Sequence, residues 1–270
     1  MLLFTQEIAL YLWISSQIIV EVLPISSSSH LLFMELLFKK YRNFDITAYF
    51  ERYKISKKTI YYFLHWPTFI VILLYFWPQL FSILFGCTFF NCKPFVWVVV
   101  ADGITAFFFL LAQRIPIPFS LGLGLIITAA SLFYTAFCTG NKELINWDLR
   151  DAFILGCAQS IAILPGISRL AFTCAVGCWL GYSLIDAFFL SWLLQLPLMA
   201  AACLKSVIEL RHSGNRNRIL NWYTILIMIG SGCFSWYVLR GIIFIINAKY
   251  FYLLGWYMII PFFVWLWLAK

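Results

Sequence analysis

A carboxylate, four hydroxyls and an imidazole fall within ten residues, Glu21-Val-Leu-Pro-Ile-Ser-Ser-Ser-Ser-His30, inside a segment otherwise apolar enough to enter a membrane. Polar groups at bilayer depth cost several kcal/mol unless they find partners, so this stretch must be enclosed by protein. Any fold for the chain has to supply that enclosure.

The chain around it leaves one class open. Of its 270 residues 63% are hydrophobic and 11% charged, where a soluble domain carries roughly 25% charged residues. The apolar runs are each about 18 to 21 residues, the length of a helix crossing the hydrocarbon core; a β-barrel would show short alternating segments. The net charge of +8 is gathered between these runs. It therefore reads as topology signal and contact with anionic membrane lipids, not as nucleic-acid binding. Cys174 and Cys178 share a helix face without a second ligand pair, so apolar packing is expected there. Cys87 and Cys92 flank a loop and can pair if it faces an oxidising compartment. Residues 1 to 14 show neither a basic n-region nor a cleavage site, so no signal peptide is expected.

Pro24 interrupts the first apolar segment, and neither half spans a bilayer comfortably, which predicts a re-entrant hairpin over 6–38. Loop 39–58 holds seven positive residues against two negative and should be cytoplasmic. Spans follow at about 60–77, 95–112 and 117–137, with 80–91 interfacial. Loop 140–151 lacks a basic excess and should lie outside. A second interrupted run, 152–182, breaks at Pro165-Gly166-Ile167-Ser168-Arg169. Spans at about 186–204, 219–239 and 250–268 complete the chain, the first leading to Lys205, Arg211, Arg216 and Arg218 on the inner side.

The two interruptions resemble each other: Leu23-Pro24-Ile25-Ser26 beside Leu164-Pro165-Gly166-Ile167-Ser168, each after a glutamine, Gln17 or Gln159. Paired broken helices entering from opposite faces are the signature of inverted repeats with a site near the midplane. The expected fold is an all-α integral membrane protein, an inverted-topology repeat of about six transmembrane helices plus two re-entrant hairpins. Repeat one covers about 1–112 and repeat two about 117–239, followed by a final span.

At the breaks, Gln17 and Glu21 lie one helical turn apart on one face. Glu21 can act as a base or hold a cation, Ser26 to Ser29 offer a hydroxyl nucleophile, and Glu21, Ser27 and His30 can converge if the chain turns at Pro24. Arg169 carries a planar fork suited to phosphate oxygens, and a helix starting near Ser168 would add N–H donors. Each has a plain alternative: serines bonding their own carbonyls, His30 capping a helix, Arg169 paired with Glu21. Asp102 reads as an interfacial residue or a polar lining one.

The stretch from Gln17 through Glu21, Leu23-Pro24 and the serines to His30 resembles the first signature of the undecaprenyl-diphosphatase (bacitracin-resistance) family. Pro165-Gly166-Ile167-Ser168-Arg169 resembles its second, and Leu64-His65-Trp66-Pro67-Thr68 is similar to its Leu-His-x-Gly-Thr string. The resemblance implies hydrolysis of a polyprenyl diphosphate to the monophosphate lipid carrier of cell-wall synthesis. It also implies a site opening outward in the bacterial cytoplasmic membrane and a divalent cation, Mg2+ or Ca2+. Carried over, Glu21 and Gln17 are the metal and orienting pair, and Ser27 and His30 are nucleophile and acid/base partner in either order. Arg169 holds the diphosphate with Ser168 and Thr173 beside it, while Ser26, Ser28 and Gly166 complete the binding set. The chain departs from the family at Ile18, Ser29, Pro67 and Leu170-Ala171-Phe172, where glycines or a hydroxyl are expected. A carrier moving a lipid phosphate without hydrolysis is the alternative, and a homodimer stays open.

Overall fold

The computed structural model describes residues 2–85, 93–112, 114, 118–212 and 221–268. Cys87, Cys92, Arg216 and Arg218, and with them the proposed cysteine pairing, lie outside the described residues. Within them the chain is helical, with a single isolated bridge between Lys142 and Tyr182. The helices are α1 (Leu2–Glu21), α2 (Ser27–Arg42), α3 (Ile46–Glu51), α4 (Lys57–Phe63), α5 (His65–Tyr75), α6 (Trp77–Phe85) and α7 (Lys93–Ala112). The second half holds α8 (Leu121–Tyr134), α9 (Leu149–Ile161), α10 (Arg169–Trp179), α11 (Leu184–His212), α12 (Trp222–Asn247), α13 (Leu253–Tyr257) and α14 (Ile259–Leu268).

Three helices among the described residues are long and apolar enough to cross a membrane: Pro94–Ala112, Leu184–His212 and Trp222–Asn247. A fourth crossing results if the bent pair Lys57–Tyr75 and Trp77–Ile83, 69° apart, counts as one span. The side chains of α7 show what surrounds the protein. Phe107, Leu110 and Phe108 are exposed on it, which water would penalise and lipid does not.

The span expected at 60–77 is not a single rod. Leu64 separates α4 from α5, and Phe76 separates α5 from α6. Pro67 and Pro78 explain both interruptions, because each sits within the first turn of its helix, where a missing N–H costs nothing. By contrast α11 runs through Pro197 without interruption, buried on most sides and packed against α4, α5, α7 and α10.

Both breaks read from the sequence are present. α1 and α2 pack on each other across residues 22–26, and α9 and α10 pack across 162–168. Each break contains one left-handed residue, Ser26 at φ 60° and Gly166 at φ 87°. The first pair is embraced by α5 and α12, where Thr68 and Ser235 both donate to the Ile18 carbonyl, at 3.2 and 3.0 Å. The second lies on α8, so tightly that a Cβ at Gly124 would stand 2.0 Å from the Pro165 carbonyl oxygen. At its far end Asp151 is held by Lys142 and by the Tyr182 hydroxyl. Cys174 and Cys178 are buried free thiols, as apolar packing requires.

Candidate active site

The first break turns the chain so that Ser27 returns to the end of α1. Glu21 Oε2 accepts a hydrogen bond from Gln17 Nε2 at 3.0 Å, the i, i+4 pair expected from the spacing, and one from Ser27 Oγ at 2.7 Å. A hydroxyl donating to a carboxylate at this distance is set to lose its proton as its oxygen attacks. Ser26 Oγ lies 2.8 Å from Ser29 Oγ, and Ser26, Ser27 and Ser28 all line the adjoining cavity.

His30 goes elsewhere. Its Nδ1 contacts the Ser26 carbonyl at 2.9 Å, and its Nε2 contacts the Tyr257 hydroxyl at 3.0 Å, with the two rings stacked. Both ring nitrogens are therefore engaged away from Ser27. The left-handed Ser26 precedes α2, and its carbonyl is the one that the imidazole contacts.

The second break is braced by α8. Thr128 Oγ1 donates to the Gly166 carbonyl at 2.9 Å and accepts from the Ser168 amide at 2.8 Å. Ser168 caps α10, its hydroxyl accepting from Ala171 N. That leaves the amides of Arg169 and Leu170 as the first of α10, without intrahelical acceptors and beside the cavity. Thr173 Oγ1 bonds back to the Arg169 carbonyl at 2.8 Å. Arg169 is absent from the ion pairs among the described residues, so the expected alternative of a Glu21–Arg169 pair is not what the structure holds. Its buried Nε has no hydrogen-bond partner.

One cavity of about 1020 Å³ joins the two breaks, lined by Glu21, Ser27, Ser168 and Arg169 at its inner end. Leu198, Met199 and Phe109 contribute apolar wall, and Lys54, Lys58 and Lys205 stand at the mouth. Three lining residues escaped sequence reasoning. Gln195 of α11 donates to Glu21 Oε1 at 3.4 Å; His65 places Nδ1 3.7 Å from the same oxygen; Tyr61 packs edge-on against His65 at 5.0 Å. His65 belonged to a recognised string, whereas Gln195 carried only the signal of an amide inside an apolar run. Asp102, within α7, accepts from Gln159 Nε2 at 2.8 Å, and the same amide reaches Thr105 of the cavity wall.

Whether a divalent cation fits can be judged from Glu21. A hard cation takes six or more oxygens, yet among the described residues no cluster of three or more His, Cys, Asp or Glu occurs. Both Glu21 oxygens face protein N–H or O–H groups, Oε2 toward Gln17 and Ser27 and Oε1 toward Gln195, with the His65 ring beyond. A cation approaching this carboxylate would meet the Gln195 amide nitrogen, so the residues as arranged do not fit Glu21 as a resident metal ligand.

The family model described as bacitracin resistance protein BacA matches residues 17–262. The chain is 31% identical over 198 residues to an undecaprenyl-diphosphatase of Elusimicrobium minutum, covering 67% of this chain and 69% of that protein. It is 32% identical over 192 residues to an undecaprenyl-diphosphatase of Thermosipho africanus, covering 67% and 71%. Undecaprenyl-diphosphatase 2 of Halalkalibacterium halodurans is 28% identical over 247 residues, covering 85% and 83%. The match spans both breaks and the cavity between them, and the chain belongs to the bacitracin-resistance protein family.

Proposed function

We propose that this protein is an undecaprenyl-diphosphate phosphatase, releasing inorganic phosphate from a polyprenyl diphosphate and leaving the monophosphate lipid carrier for cell-wall synthesis. The observation that carries the reading is the Ser27–Glu21 hydrogen bond sharing one cavity with the unpaired Arg169. In-line phosphoryl transfer asks the protein mostly to position groups and neutralise charge. Arg169 and the first amides of α10 supply that neutralisation to the diphosphate oxygens.

Ser27 is the nucleophile in this reading. As its oxygen bonds to the terminal phosphorus, its proton passes to Glu21 and the bridging P–O bond breaks. Glu21 then hands the proton to the departing monophosphate and is a carboxylate again. Water next attacks the phosphoserine, its proton goes to Glu21, and Glu21 returns it to Ser27 Oγ as the Oγ–P bond breaks. Gln17 orients Glu21, Ser168 and Thr173 hold the start of α10, and Gly166 sets the turn before it. Ser26 and Ser28 meet the substrate along the wall, and His30 fixes the first turn of α2. Mg2+ or Ca2+ would supply counter-charge to the diphosphate, and no step passes through it.

The finer architecture belongs to the same reading: six full spans, two re-entrant hairpins and inverted repeats over 1–112 and 117–239, in the bacterial cytoplasmic membrane, with the cavity opening outward. The paired breaks, each with one left-handed residue ahead of its second helix, support the repeat. Incubating the purified protein with a prenyl diphosphate and measuring phosphate tests the reading, since a carrier of intact lipid would release none.

A further inference from the structure

Gln195 lies outside both signature stretches, yet its side chain lines the cavity beside Glu21. It is 6% exposed, and it is anchored through Nε2, which donates to Glu21 Oε1 at 3.4 Å and approaches Met199 Sδ at 3.9 Å. Its carbonyl oxygen Oε1 is buried and has no hydrogen-bond partner. A buried acceptor left unmatched costs about 1–3 kcal/mol, so the arrangement favours a ligand that brings a hydrogen. Ionised phosphate oxygens cannot serve, because they are acceptors themselves. Water can.

We propose that Gln195 is a positioning residue for the water that hydrolyses phosphorylated Ser27. One water hydrogen bonds to Gln195 Oε1 and the other points to Glu21, which leaves a lone pair free to attack phosphorus. Because Glu21 also holds Ser27 at 2.7 Å, the water is brought to the same phosphorus that Ser27 carries. In the step itself the water O–P bond forms, the Ser27 Oγ–P bond breaks, and the proton travels from water through Glu21 to Ser27. No other co-reactant is needed. The amide does not titrate, so its contribution is geometric at every pH. The part of the wall formed by Arg169 and the amides of α10 offers donors and takes phosphate. The Gln195 wall offers an acceptor and takes water. The proposal rests on Ser27 being the nucleophile.

The test is rapid-quench analysis of full-length protein with a prenyl diphosphate labelled in its terminal phosphate. Gln195→Leu should keep the first step, giving a burst of one equivalent of prenyl monophosphate, and slow release of inorganic phosphate by about 100-fold. Acid-stable phosphoserine at Ser27 should accumulate. Gln195→Asn keeps an amide with both donor and acceptor and should recover part of the turnover relative to Gln195→Leu without that accumulation. Unchanged phosphate release by Gln195→Leu would overturn the proposal. So would slowed release with no phosphoserine, provided melting temperature and elution in detergent match the parent. Failure of the underlying reading looks different: Ser27→Ala would then turn over at the parental rate, and the parent would form no phosphoserine.

Discussion

Gly124 is the sharpest structural lever on a site it does not touch. A Cβ there would stand 2.0 Å from the Pro165 carbonyl oxygen and 2.8 Å from two Gly166 atoms, all backbone. Ordinary contact begins near 3.4 Å, so Gly124→Ala forces the break and α8 apart by about 3.4 − 2.0 = 1.4 Å. Overpacking of this kind costs about 1–3 kcal/mol, small enough for the protein to fold. The functional cost is larger. Arg169 begins its helix three residues after Gly166, and displacing a reacting group by about 1 Å can cost about 100-fold in rate. We therefore expect Gly124→Ala to lose about two orders of magnitude in phosphate release while its melting temperature falls by a few degrees. Gly230→Ala is the control, since nothing lies within 4 Å of a Cβ there. Parental activity in purified Gly124→Ala would refute the reasoning that the α8 contact sets the position of Arg169.

Thr128→Val removes both partners of the second break and leaves the Gly166 carbonyl and Ser168 amide unpaired, each worth about 1–3 kcal/mol. Its melting temperature and activity should fall together, and Thr128→Ser should restore both; a Val variant as stable and active as the parent contradicts the bracing role. The lysines at the mouth discriminate between two expectations, because Lys54 just before α4, Lys58 in its first turn and Lys205 in α11 belong to basic stretches whose charge assigns them inside, whereas the family resemblance opens the site outward. Lysines that meet an anionic substrate have a use besides topology, so we expect a membrane-impermeant amine reagent to modify them in intact cells. Modification only after permeabilisation places the mouth in the cytoplasm.

The sequence announced the two breaks because polarity inside an apolar run demands enclosure and because Pro24 and Pro165-Gly166 cannot continue a helix. The Gln17–Glu21 contact was equally legible, being a local i, i+4 relation. What stayed hidden depends on packing between distant segments. Gln195 reaches Glu21 across 174 positions of sequence and Thr128 reaches Ser168 across 40, and no periodicity encodes either meeting. His30 escaped for a different reason: its distance in sequence from Ser27 permitted contact, but the ring bonds back to the carbonyl one turn earlier and meets Tyr257 of a distant helix. The bend between α5 and α6 was written in Pro78, but a continuous apolar run masked it.

Phosphate release from a prenyl diphosphate, measured for the parent, Glu21→Gln and Arg169→Ala under one set of conditions, tests the shared site most directly. The parent should release one phosphate per lipid in the presence of a divalent cation. Both variants should fold normally and fall by at least about 100-fold, as expected when a base or a charge-stabilising donor is removed. No phosphate from the parent, or normal turnover by either variant, would contradict the joint action of the two breaks on one diphosphate.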